Sequence, residues 1–161
     1  MGYARAVTVS LAALLVDATE RHLADALDRL DALGFSGLTV SHAFAVQLVG
    51  GGVVTITALA DAMRMTPQAV STIVNQLEAR ALVVRGRAAQ DARAKTLTLT
   101  PDGRRLAGAV ADVLEDGERA WADLVGQQRL ADLHATLEAY VTDGTRSAVP
   151  GRRRQRRVRL V

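Results

Sequence analysis

The sequence predicts a mainly helical fold carrying one small β-hairpin. Three observations predict it. Apolar residues recur at helical spacing in segment after segment, two of them long. One stretch, KTLTLT at 95–100, alternates with period two and follows a β-branched run at 82–87, so the pair reads as a hairpin. Threonine or Thr-Pro starts and glycine stops punctuate the helical segments.

The elements follow in order. From Val9 to Leu33 the apolar positions 11, 14, 15, 18, 23, 26, 27, 30 and 33 trace one helical face, and Gly34 and Gly37 end it. A helix this long cannot bury its stripe against a small domain alone, which points to a partner chain. The opening MGYARAVTVSLAALLVDATE holds a short apolar run, but Asp17 and Glu20 follow at once without a cleavage site, so it fits an amphipathic helix better than a signal peptide. Thr39 caps a shorter helix to Val49, with Val40, Phe44 and Leu48 expected to face inward, and Gly50–Gly52 breaks it. Val53 to Ile56 reads as a small strand, and Thr57 as the cap of a helix from Ala58 to about Met63. Thr66 caps the next helix with Pro67 in its first position, and that helix runs to about Arg80. After the hairpin, Thr100-Pro101 opens a long helix with Leu106, Val110, Val113, Leu114, Trp121, Leu124 and Val125 on one face. A last helix carries Leu130, Leu133, Leu137, Tyr140 and Val141. Beyond Gly144 the chain turns arginine-rich without apolar period and reads as a disordered tail.

Charge is distributed unevenly. Residues 1–60 carry −2, 61–105 carry +4, 106–143 carry −6 and 144–161 carry +7. A basic block between acidic helices is the footprint of a polyanion-binding surface. The tail has three readings: a non-specific DNA arm acting by counterion release, a site for another anionic partner, or an inert end.

The stretch 59–85, LADAMRMTPQAVSTIVNQLEARALVVR, gives a short helix, a tight turn at Arg64–Met65 and a longer helix, which is helix-turn-helix geometry. Val70, Ile73, Val74 and Leu77 form the buried stripe of the second helix. Its other side offers Thr66, Gln68, Ser71, Thr72, Asn75 and Gln76, neutral groups of a length suited to base edges and phosphates, with Gln and Asn able to bond adenine bidentately. Arg85, Arg87, Arg93 and Lys95 flank the hairpin tip, making a basic wing whose arginine can enter a narrow minor groove. The whole is an α+β winged helix expected to bind double-stranded DNA.

The segment from Thr39 to about Leu106 resembles the MarR family of winged-helix regulators. DARAKTLTLTPDG at 91–103 is similar to that family's wing signature, with Asp91, Arg93, Leu97, Leu99, Thr100 and Gly103 at the matching positions, and the flanking helices extend the likeness to roughly residues 8–143. The resemblance implies a homodimer in which the first and last two helices intertwine with a second copy, so that 1–38 and 104–143 form a dimerisation region, 39–103 the DNA-binding lobe and 144–161 the tail. It implies that Asp91 holds the wing by pairing with a nearby arginine, that Arg93 reaches the minor groove, and that the protein is a repressor released by a small, often aromatic or phenolic, anion held between the dimerisation helices and the lobe. Ala81 stands where a glycine usually ends the recognition helix, which implies a looser end, and Thr72 stands where many members carry arginine.

The sequence has no cysteine, which removes disulfides and thiolate chemistry. The spacing of His22, His42 and His134 matches no metal motif. His22 and His42 are read first as hydrogen-bonded or surface residues and second as ligand-pocket residues. No catalytic constellation and no apolar run of about 18 residues is present, so neither an enzyme, a cofactor nor a membrane span is expected, and the cytoplasm is the expected location. The alternative function is a winged-helix protein-interaction module that has lost DNA binding.

Overall fold

The computed structural model describes residues 9–87 and 95–143. Helices α1 (Leu11–Ala32), α2 (Val40–Gly50), α3 (Ile56–Met63) and α4 (Pro67–Ala79) precede strands β1 (Val83–Arg87) and β2 (Lys95–Leu99), and α5 (Pro101–Val125) and α6 (Gln127–Asp143) close the chain. The fold is thus mainly α with one antiparallel hairpin, as the periodicities predict. The chain divides into two compact units, residues 1–118 and 119–161.

The first unit has a single core. Leu30 of α1, Val46 of α2, Leu59 of α3, Val70, Val74 and Leu77 of α4, Val83 and Leu97 of the hairpin and Leu106 of α5 are all fully buried. Each such side chain contributes about 1.5–3 kcal/mol through removal from water. The second unit holds the last turns of α5 and all of α6, joined at Gly126 with φ +94°. Its Ala122 is buried, whereas Leu124 and Tyr140 are exposed.

Threonine and serine hydroxyls start the helices. Ser10, Thr39, Thr55 and Thr66 each accept a hydrogen bond from the backbone N–H three residues on, and Thr100 does the same for Gly103 at the start of α5. Helices α1 to α4 all end in one way. A residue with positive φ follows the helix, and the N–H after it reaches back to a carbonyl five residues earlier: Phe35 to Leu30, Val53 to Leu48, Met65 to Ala60 and Leu82 to Leu77. Glycine fills that position at Gly34 and Gly52, but Arg64 (φ 54°) and Ala81 (φ 55°) fill it in the other two. Ala81 therefore does not loosen the end of α4. The turn closes fully, and the missing glycine shows as backbone strain.

Three local expectations change. On α2, His42, Ala43, Ala45, Val46 and Val49 are buried and Leu48 packs against the core as expected, with Val40 half-buried, while Phe44 is exposed. Val53–Ile56 is not a strand: Val53 is used in closing α2, and only the Val54 carbonyl reaches β2, accepting from the Leu97 N–H at 2.7 Å. Thr55, not Thr57, caps α3, which lets Ile56 join the helix and pack against the core.

Candidate nucleic-acid interface

α3 and α4 meet through the left-handed turn at Arg64, and the stripe Val70, Ile73, Val74 and Leu77 buries α4 in the core. This leaves Thr66, Gln68, Thr72, Asn75 and Gln76 exposed on the other side, with Ser71 half-buried among them. The predicted reading residues of the helix thus share one solvent-facing side. Thr66 and Pro67 start it as expected, and Thr72 bonds back to the Gln68 carbonyl at 3.2 Å.

Two of these side chains are held from the protein side. Asn75 Oδ1 accepts from Arg85 Nη2 at 2.6 Å, and Arg85 Nε lies 3.3 Å from Glu78 Oε2. Arg85 is therefore a tie between β1 and α4 as well as a basic group of the wing. Gln76 Oε1 lies 2.9 Å from Nε2 of His42. His42 is buried, and its Nδ1 accepts from the Thr39 N–H at 3.1 Å, completing a capping box with the Thr39 hydroxyl.

The hairpin pairs Val83 with Leu99, Arg85 with Leu97 and Arg87 with Lys95. Leu97 and Leu99 are buried and Thr98 is exposed, the alternation expected of KTLTLT. Arg87 and Lys95 end the described ladder, so the two basic positions face each other in register where the chain leaves for the tip. Asp91 and Arg93 lie outside the described residues. Gly103 allows α5 to start hard against the hairpin: a Cβ there would stand 1.9 Å from the Leu82 carbonyl oxygen.

Two residues escape sequence reasoning. The Arg80 guanidinium donates to the carbonyls of Ser36 and Gly37, both at 2.8 Å, clamping the end of α4 to the connection between α1 and α2. Gln47 donates from Nε2 to the Ala107 carbonyl at 2.7 Å. No local pattern pairs residues so far apart in sequence.

Gln47 also lines an apolar cavity of about 260 Å³ bounded by α1, α2 and α5, with Leu23, Leu27, Val40, Phe44 and Val113 among its walls. Neither His22 nor His42 lines it. His42 has both ring nitrogens engaged, and the His22 ring packs so closely on Gly117 that a Cβ there would stand 2.4 Å from it. Among the described residues no three histidine or acidic side chains gather to hold a metal, and no helix is long and apolar enough to cross a membrane.

A sequence profile of the MarR family matches residues 36–94, the stretch from the α1–α2 connection through the helix-turn-helix into the hairpin. The lobe is similar to the winged helices of the MarR family. Solved MarR-like structures share the fold over most of the chain. S. aureus MepR in a DNA complex superposes with a TM-score of 0.70 at 19% identity, covering 84% of this chain and 99% of MepR. CouR from Rhodococcus jostii RHA1, bound to p-coumaroyl-CoA, gives 0.69 at 23% identity over 84% of this chain and 94% of CouR. Streptococcus pneumoniae FabT in complex with DNA gives 0.71 at 18% identity over 84% of this chain and 96% of FabT. No curated protein sequence matches the chain. The MarR match takes in all of α2, α3, α4 and β1, so it covers every described side chain assigned above to the exposed face of α4.

Proposed function

We propose that the protein is a homodimeric, sequence-specific DNA-binding transcriptional regulator of the MarR type, acting in the cytoplasm as a repressor. The observation that carries this reading is the exposed polar side of α4 followed directly by a hairpin whose strands hold Arg85, Arg87 and Lys95. Two similar structures, those of MepR and FabT, are DNA complexes. In this reading α4 enters the major groove, Gln68, Ser71, Thr72, Asn75 and Gln76 meet bases and phosphates, Thr66 and the N-terminus of α4 meet a phosphate, and Arg93 reaches the minor groove. Asp91 steadies the wing. Two copies place their recognition helices in successive major grooves, about 34–36 Å apart.

A second copy also accounts for apolar surface that each unit leaves bare. Leu11 and Leu14 at the start of α1 are 71% and 52% exposed, and Leu124 and Tyr140 in the second unit are 79% and 78% exposed. Side chains of this size stay in water only at a cost of about 1.5–3 kcal/mol each, which association recovers.

The cavity supports a small-molecule effector, and one similar structure, that of CouR, is bound to p-coumaroyl-CoA. Its walls are apolar apart from Gln47 and carry no basic side chain. An uncharged aromatic molecule fits these walls better than the anion implied by the family resemblance, because a buried carboxylate would have no partner.

The test is titration of the protein against duplex DNA from its own promoter region at several salt concentrations. Affinity should fall steeply with salt, and Arg93→Ala should weaken binding to all sequences and flatten the slope by about one. Absence of any salt-sensitive complex would favour the protein-interaction module instead.

A further inference from the structure

We infer that the second half of the recognition helix selects base edges that offer hydrogen-bond acceptors, because the protein fixes the Asn75 and Gln76 carboxamides with their –NH2 groups left for DNA. The inference rests on the DNA-binding reading above and adds which chemistry of base that helix reads.

Two groups here have hydrogen-bonding roles fixed by their chemistry, a backbone N–H and a guanidinium. The Thr39 backbone N–H can only donate, so His42 Nδ1, 3.1 Å away, must be an acceptor and carry no proton. The neutral ring then carries its proton on Nε2. That N–H donates to the atom 2.9 Å away, and only the oxygen of the Gln76 amide can receive it. Asn75 is fixed in the same sense by an independent group. A guanidinium has no acceptor, so the Asn75 atom 2.6 Å from Arg85 Nη2 must also be the oxygen. Glu78, 3.3 Å from Arg85 Nε, holds that guanidinium in place.

An amide is planar, with oxygen and nitrogen on opposite sides of its axis. Fixing both oxygens toward the protein leaves two donor groups on adjacent exposed residues. In the major groove guanine shows two acceptors, N7 and O6, and thymine shows O4, whereas cytosine shows the N4 donor and adenine sets its N6 donor beside N7. Asn75 and Gln76 therefore favour G·C over A·T at the pairs they face, because guanine sets N7 and O6 side by side whereas the adenine N6 donor stands between N7 and the thymine O4. The adenine pairing open to a free Asn or Gln needs an outward oxygen that neither presents. His42 does not touch DNA in this scheme. It is a positioning residue, setting through its tautomer which end of Gln76 is shown.

Two experiments test this. In the free protein, nitrogen chemical shifts of the His42 ring should report the Nε2–H tautomer, and the Nδ1–H form would overturn the Gln76 half of the scheme without reference to DNA. Duplexes selected from a random pool should carry G·C pairs at the positions facing Asn75 and Gln76. Replacing such a guanine by 7-deazaguanine, which lacks N7, should weaken wild-type binding about tenfold. Arg85→Met, at a largely surface position, frees Asn75, and His42→Phe frees Gln76. In each variant the preference for guanine over adenine at the corresponding pair should collapse to about twofold or less. Should His42→Phe fail to fold, Arg85→Met and the ring shifts still decide. Binding to no duplex by the wild-type protein would sink the proposed function. Specific binding that prefers A·T at these pairs, or a preference untouched in both variants, would sink this inference alone.

Discussion

Two glycines five residues apart in α5 should respond to alanine with opposite signs. Gly103 is buried at the first turn, where an added Cβ would stand 1.9 Å from the Leu82 oxygen, 3.0 Å from the Leu82 carbonyl carbon and 3.3 Å from Leu99 Cβ. The shortest ordinary C···O approach is about 3.3 Å, so roughly 1.4 Å of movement is required. The Leu82 carbonyl cannot retreat freely, because it accepts from the Thr100 N–H at 3.1 Å and from the Thr100 hydroxyl at 3.3 Å, and Thr100 is the cap of α5. Overpacking costs about 1–3 kcal/mol and a disturbed cap about 1 kcal/mol, against about 1 kcal/mol gained by replacing glycine within a helix. The net for Gly103→Ala is a loss of about 1–3 kcal/mol. Gly108 is exposed and a Cβ there would meet nothing within 4 Å, so Gly108→Ala keeps only the helix gain of about 1 kcal/mol. For a chain of this length 1 kcal/mol moves the melting temperature by about 2–4 °C. Thermal unfolding of both variants at one fixed protomer concentration should show Gly103→Ala lower by roughly 2–12 °C and Gly108→Ala higher by about 2–4 °C. Equal shifts would refute the claim that α5 begins in contact with the Leu82 backbone.

Three further outcomes follow. Ala81→Gly should stabilise the protein by about 0.5–1 kcal/mol, because relief of left-handed strain outweighs the added freedom of the unfolded chain, and chemical denaturation will show it as a raised midpoint with unchanged slope. Arg80→Ala should cost about 1 kcal/mol, since the two carbonyls it clamps belong to an exposed connection that water can also reach, and denaturation against wild type checks it. Ala43→Leu, on the cavity wall, should gain up to about 2 kcal/mol of stability by filling empty apolar space. In DNA titrations that variant should bind normally but respond to no uncharged aromatic effector.

What the sequence makes legible is whatever local chemistry decides. Thr66-Pro67 marks the start of α4 because a hydroxyl cap and a residue with no N–H suit the first turn in any context. KTLTLT fixes the hairpin face because period two admits only one burial of Leu97 and Leu99. The same logic fails for α2, whose VSHAFAVQLVG offers almost no polar residue to mark an outer face, so periodicity could not choose between the stripe through Phe44 and the one through Val46. Thr55 and Thr57 lie on either side of Ile56 and both satisfy the cap rule; burial of Ile56 decides between them. The candidate reading face of α4 is legible, since it is what remains once the Val70–Leu77 stripe is buried. The ties that orient it are not. Arg85 to Asn75 spans 10 residues and His42 to Gln76 spans 34, and nothing in either partner's neighbourhood announces the other.

The near-uniform apolarity of α2, which makes its orientation hard to read, follows from its having two walls to form. Val40, Ala43, Phe44 and Gln47 lie along one stripe and line the cavity. His42, Ala45, Val46 and Val49 lie along the adjacent stripe and are buried in the lobe, where His42 meets Gln76 of α4. A close-packed helix moves as a body, so displacement of the first stripe by a bound molecule is also displacement of the second. The connection at Ser36–Gly37, clamped by Arg80 from the end of α4, ties the same two helices a second time. In the proposed function, filling the cavity would act on the orientation of α4 through contacts already made in its absence. The size of that action is bounded by the difference in ligand affinity between the two arrangements of α2. A tenfold change in DNA affinity requires about 1.4 kcal/mol of such difference, and DNA must weaken the ligand by the same factor. That sum corresponds to about two buried methylene groups. An apolar cavity can therefore supply it by changing shape alone, without a charge to hold.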